Sequence, residues 1–193
     1  FRETVDIVVK AWTNDRLTYK GKYFSFDDVE VLSKPLQKPH PPVWTAASSP
    51  GAIEWAASEG HSILMDPHAT HVELGKKWEL YRDTLEAHGH SIEGRQTPMA
   101  RLLAIAPTEE KAIEVAREGA KWLIKTYVPP EMYGDEDPIQ RYVDNVVIHG
   151  TPEKGVDELA RLKEEIHLDY IIGAPLSHES FMQFTEYVLP RMG

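Results

Sequence analysis

Apolar residues in this chain alternate between two spacings. From residue 43 onward, short unbroken apolar runs recur between turn residues, as in buried strands. Each run is followed by a segment whose apolar residues fall three and four apart, the spacing of a helix with one buried face. Val43 to Ala47 is the first run, with a β-branched bias and an entry from Pro41 and Pro42. Ser48 and Ser49 suit a helix N-cap, and Pro50 suits the first helical position, where no N–H is needed. Ala52, Ile53, Ala56 and Ala57 then form an apolar face, and Gly60 fits the position after the helix end. Ser62 to Met65 predicts a second strand. Leu74, Trp78, Tyr81 and Leu85 share one face of a helix that stops near His88 and Gly89. Met99 to Ala106 predicts a third strand. Thr108 can cap the next helix, Glu109 and Glu110 complement its dipole, and Ala112, Ile113, Ala116, Ala120, Leu123 and Ile124 turn inward. A strand at Val146 to Ile148 leads to Thr151 as N-cap and Pro152 as first helical residue. Val156, Leu159, Leu162 and Ile166 make that helix amphipathic. Asp169 to Ile172 is the last strand, and Phe181, Phe184, Tyr187 and Val188 lie on a final helix closed by Pro190.

The repeating unit is strand, loop, helix, with helices long enough to cross over a parallel sheet. About four such units follow residue 42, which is half of an eight-unit barrel. An open α/β sheet is the structural alternative. Before residue 43, Val5, Val8, Val9 and Trp12 place a helix over Phe1 to Trp12, already in progress at a first residue that is not Met. The chain is therefore expected to be a piece of a longer protein, with a processed start as the alternative. Tyr19 to Phe26 and Val29 to Leu32 predict two short strands, and Lys34 to Pro42 a stiff, proline-rich connector. Residues 127–142 carry adjacent prolines, an acidic cluster and several aromatics. They are expected to form a lid or irregular insertion within a single domain spanning residues 1–193.

Composition narrows the class. The chain has 193 residues, 41% hydrophobic and 27% charged, enough to bury a substantial core in a globular α/β protein. Its formal charge of −10 removes the basic surface that nucleic acid or an anionic membrane requires. No apolar run has the length of a membrane span. These features suit a soluble, cytoplasmic protein. The absence of cysteine excludes a disulfide scaffold, thiolate catalysis and Cys-ligated zinc.

Candidate chemistry concentrates at Ser48 and Ser49. A strand that hands directly to a helix start presents unpaired N–H groups and a positive dipole end beside two hydroxyls, a plausible phosphate cradle. The same pattern describes an ordinary strand–turn–helix corner. Nine histidines are present, but His68 with His71, and His88 with His90, lack a third ligand. They read as solvated or capping side chains, and no metal is expected. Phosphate-binding glycine loops and a serine nucleophile elbow are absent. Glu109-Glu110 and Glu164-Glu165 read as solvated helix surface. Trp55, Trp78 and Trp122 read as packing residues.

In order and spacing, several segments together resemble the bacterial luciferase-like flavin-dependent oxidoreductases. They are Phe1 to Trp12, the Tyr-x-Gly-x-x-Phe segment at Tyr19 to Phe24, the connector Lys34 to Pro42, and the Ala47-Ser48-Ser49-Pro50 turn with Glu54 to Ala57 and Gly60. Thr108 to Ala112, Gly150 to Glu153, Glu179 to Phe181 and Val188 to Arg191 complete the set. The resemblance implies the C-terminal half of a (β/α)8 TIM barrel, with flavin at the C-terminal ends of the strands. It implies that Ala47, Ser48 and Ser49 bind the FMN phosphate, that Gly51 and Ala52 contribute N–H groups, and that Leu64 and Met65 contact the ring. The general barrel pattern makes Gly150-Thr151-Pro152 a competing phosphate site. The implied activity is FMN-dependent monooxygenation of a small organic substrate with dioxygen, using reduced FMN supplied by a flavin reductase. Half a barrel exposes two sheet edges, so the chain is expected to need its other half or to form a homo-oligomer. Family members place catalytic polar groups on the N-terminal strands, upstream of Phe1, so no catalytic residue is assigned. A non-catalytic flavin-binding protein and a deazaflavin-dependent oxidoreductase are the alternatives.

Overall fold

The computed structural model describes residues 1–127 and 137–192, which fall in two compact units, Phe1–Val43 and Trp44–Gly193. In the first unit, helix α1 (Arg2–Thr13) precedes an antiparallel hairpin of β1 (Arg16–Lys20) and β2 (Ser25–Glu30). Both strands begin and end earlier in the chain than the apolar pattern predicts. The reason is the reversal at Gly21, whose N–H donates to the Phe24 carbonyl at 2.8 Å. The Glu3 carboxylate accepts from the Tyr23 and Phe24 amides at 3.1 and 2.8 Å and pins them in the turn. A Cβ on Gly21 would lie 2.0 Å from Glu3 Oε1, so a side chain here would displace the Glu3 carboxylate from the turn.

The second unit contains β3 (Trp44–Ala46), α2 (Pro50–Ser58), β4 (Ser62–Leu64), α3 (His71–Ala87), β5 (Met99–Ile105), α4 (Glu109–Tyr127), α5 (Pro138–Asn145), β6 (Val147–Gly150), α6 (Pro152–Ile166), β7 (Ile171–Pro175) and α7 (His178–Gln183). The chain continues from α7 through a π-helical turn, Phe184–Val188, to a 3-10 turn, Leu189–Arg191. β3 pairs with β4, and β5 pairs with both β6 and β7, all parallel. A single parallel bridge, Met65 to Met99, joins β4 to β5. β3, β4, β5 and β7 therefore follow one another as four neighbouring parallel strands, the number found in half of a (β/α)8 barrel.

β6 departs from the simple repeat. Leu102 and Leu103 pair with β6 and β7 at once, so those two strands lie on opposite edges of β5. Met99 pairs with Ile171 of β7 and bridges Met65, which puts β4 on the same edge as β6. β4 and β5 thus separate beyond Met99, and β6 takes the vacated edge.

Side-chain alternation along β5 divides the packing. Met99, Leu103 and Ile105 turn to a core shared with Ile53 and Ala56 of α2, Leu74, Tyr81 and Leu85 of α3, and Leu159 and Leu162 of α6. Leu102 and Ala104 turn to a second core with Ala116, Ala120 and Leu123 of α4 and Tyr142 and Val143 of α5. Helices thus cover both faces of β5. Of residues 127–142, expected to form a lid or irregular insertion, Tyr127 ends α4 and residues 138–142 belong to α5, capped by the Asp137 carboxylate on the Ile139 amide, and residues 128–136 lie outside the described residues.

Candidate functional site

The C-terminal ends of β3 and β4 open into a cleft of about 630 Å³. Ser48 and Ser49 enter it from the turn after β3, and Asp66, His68 and Ala69 from the loop after β4. Glu73 and Lys77 come from α3, Tyr127 from the end of α4, and Pro138, Arg141 and Tyr142 from α5. This size lies within the range of about 300 to 1,000 Å³ common for small-molecule sites.

The serine turn is exposed and polar. Ser49 is the N-cap of α2 with extended backbone angles, yet its side chain makes no capping bond. Among the described residues, neither the Ser48 nor the Ser49 hydroxyl has a hydrogen-bond partner within the protein. The Ser49 carbonyl is engaged, accepting from the Ala52 and Ile53 amides at 3.0 Å each. Two uncommitted hydroxyls at a helix start, beside the positive end of its dipole, fit an anionic oxygen-rich group such as a phosphate.

The competing position does not share this feature. Gly150 and Thr151 also precede a helix, but the Glu109 carboxylate occupies its start. It accepts from the Thr151 amide at 3.3 Å and pairs with Lys154 at 2.8 Å. Glu109 is thus a structural partner of α6 rather than the solvated surface carboxylate its sequence position suggests.

Ala47 is buried in the core that holds Ile53, Leu74 and Leu103, and its amide donates to the Leu64 carbonyl at 3.3 Å. Gly51 is exposed and Ala52 half-buried in the first turn of α2. Met65 is fully buried in the same core as Ile63, whereas Leu64 is half-buried on the opposite face of β4. Ser48 and Ser49 are therefore brought together in the cleft, and Leu64 and Met65 are not among its lining residues.

The aromatic wall is a feature the sequence pattern did not single out. His68 Nδ1 lies 3.1 Å from the Tyr142 hydroxyl, and its ring stacks on Tyr127 with centroids 5.9 Å apart. Burial pushes the His68 imidazole below its usual range, and the nearby Arg101 guanidinium adds to this against the pull of Asp66. The shift favours the neutral ring, in which one nitrogen donates and the other accepts. His71, three residues on, faces a different cavity of about 450 Å³ with His149 and Glu158, so the two histidines do not form a pair.

Arg101 organises the loop that carries His68. It is fully buried on β5, and its guanidinium donates to the carbonyls of Ala100, Asp66, Ala69 and Val146 at 2.6, 2.9, 3.0 and 3.3 Å. It thus spans the gap where β4 and β5 separate and β6 begins. Burial lowers its pKa to about 10, with Asp66 and Tyr142 opposing the shift, so it stays charged at neutral pH. Burial raises the Asp66 carboxyl, but Lys77 at 2.8 Å and the amides of His68 and Ala69 outweigh it and hold the group below the ordinary carboxylate range.

Comparison with known proteins agrees with this architecture. The family model for luciferase-like monooxygenases matches residues 1–169. An F420-dependent glucose-6-phosphate dehydrogenase of Amycolatopsis mediterranei is 26% identical, over 99% of this chain and 60% of its own. The oxygenase component of a flavin-dependent trigonelline monooxygenase from Acinetobacter baylyi is 28% identical, over 61% of this chain and 32% of its own. The oxygenating constituent of 3,6-diketocamphane monooxygenase of Pseudomonas putida, solved with FMN, superposes with a TM-score of 0.76 at 16% identity, over 100% of this chain and 63% of its own. The chain spans about 60% of the length of the first of these relatives. The match over residues 1–169, most of its length, establishes that the chain belongs to the luciferase-like monooxygenase family.

Proposed function

We propose that this protein is an FMN-dependent monooxygenase that acts on a small organic substrate with dioxygen. The observation that carries the reading is the cleft at the strand ends, where Ser48 and Ser49 meet an aromatic wall. Ser48 and Ser49 donate to the flavin phosphate, and the start of α2 adds its dipole. The rings of Tyr127 and His68 offer a surface for a planar ligand, and the Tyr142 hydroxyl fixes the tilt of His68. When bound, the flavin supplies the two-electron chemistry, and the protein supplies binding and orientation. The Acinetobacter relative is named as an oxygenase component, which supports a separate reductase that delivers reduced flavin.

A deazaflavin is the second reading, favoured by the glucose-6-phosphate dehydrogenase that matches 99% of this chain. The charges of the cleft favour FMN. Among the described lining residues its two cations, Lys77 and Arg141, are each matched by a carboxylate, Asp66 and Glu73, which suits one phosphate better than a longer anionic tail. Equilibrium dialysis of the protein against FMN and against the deazaflavin separates the two. Retention of FMN in preference is expected. Preference for the deazaflavin selects the second reading, and retention of neither overturns both.

A further inference from the structure

The two ion pairs that line the cleft differ in how firmly each cation is held. Lys77 lies 2.8 Å from Asp66, with both side chains about three-quarters buried, and Asp66 also accepts two backbone amides. Arg141 lies 3.2 and 3.3 Å from the two Glu73 oxygens, and half of the Glu73 side chain is open to solvent. Ion pairs this exposed contribute little to stability. Glu73 also has a stronger local commitment. It accepts from the Thr70 amide at 2.7 Å, while the Thr70 hydroxyl accepts from the Glu73 amide at 3.2 Å, a reciprocal box at the start of α3. Removing Arg141 leaves the Glu73 carboxylate hydrogen-bonded and hydrated. Removing Lys77 leaves a buried carboxylate without its cation.

We propose that Arg141 is an anion-binding residue of this cleft: on flavin binding its guanidinium leaves Glu73 and takes the terminal phosphate of the cofactor. This rests on the flavin reading given above. A phosphate offers the planar guanidinium fork two oxygens and more charge than a carboxylate, so the exchange is downhill for Arg141 and nearly neutral for Glu73. Lys77 stays with Asp66. Because Arg141 sits on α5, the exchange also ties that helix to the bound ligand.

The test compares FMN with riboflavin, which has the same ring and no phosphate, in fluorescence titrations of the protein and two variants. Arg141→Gln is expected to weaken FMN binding about tenfold and leave riboflavin binding unchanged. Glu73→Gln keeps the reciprocal box, since glutamine also serves at that position, and frees Arg141. It is expected to tighten FMN binding a few-fold without affecting riboflavin. Unchanged FMN affinity in Arg141→Gln, or equal losses for both ligands, would overturn the proposal while leaving flavin binding intact. Failure of the unaltered protein to bind either ligand would overturn the flavin reading and this proposal with it.

Discussion

The guanidinium of Arg101 donates to the backbone carbonyl of Asp66 at 2.9 Å, across the gap where β4 and β5 part. This contact, with those to Ala69 and Val146, lets one buried cation hold the loop that presents Asp66 and His68 to the cleft. Replacing Arg101 by Met keeps much of the volume but takes this donor from all four carbonyls. A loss of about 3 kcal/mol or more is expected, the sum of several charge-assisted bonds less their desolvation. Arg101→Lys should fall between, because an ammonium cannot span the same fork of acceptors. Urea unfolding measures both, and a loss under about 0.5 kcal/mol for Arg101→Met, the size of an ordinary surface substitution, would contradict this role.

His71 makes stability depend on pH. Burial pushes its pKa from 6.5 to about 4, with Arg101 adding to the shift and Glu158, 3.6 Å away, opposing it. Between those values the unfolded chain binds a proton that the folded protein refuses. The stability contributed by the neutral imidazole is present above pH 6.5 and is lost as pH falls toward 4, by an amount on the order of 3 kcal/mol. His71→Asn should flatten this part of the curve. Thermal unfolding between pH 4 and 7 checks it, and identical slopes for variant and parent would remove His71 as the cause.

The start of α3 supports the cleft through Thr70. Thr70→Ala removes one half of the reciprocal box and should cost about 1 kcal/mol, whereas Thr70→Ser should cost far less. Equal unfolding midpoints for the alanine and serine variants would show that the cap contributes nothing.

Local physics made much of this fold legible in the sequence. Ser49-Pro50 and Thr151-Pro152 start helices where capping chemistry places them, and Met99 to Ile105 is the strand its apolar run predicts. What escaped depends on partners far along the chain. The Val146 to Ile148 run reads as another strand in series, and nothing in it reveals that β6 sits beside β5 on the edge that β4 vacates. Arg101 looks like a polar interruption of an apolar run, because three of its four acceptors lie 32, 35 and 45 residues away. His68 was visible only as half of a possible ligand pair. Its stacking and its contact with Tyr142 arise from α4 and α5 folding over the strand ends. The serine turn is legible in the sequence because a strand end, two hydroxyls and a helix start are contiguous there.

The measurement that bears most directly on the account is FMN titration of Ser49→Asp beside the unaltered protein. Aspartate is also a good N-cap, so the start of α2 should keep its stability and the unfolding midpoint should hold. Its carboxylate faces the position assigned to the phosphate, and binding should weaken on the order of tenfold or more through repulsion of like charges. An FMN affinity equal to that of the unaltered protein, at unchanged stability, would place the phosphate elsewhere.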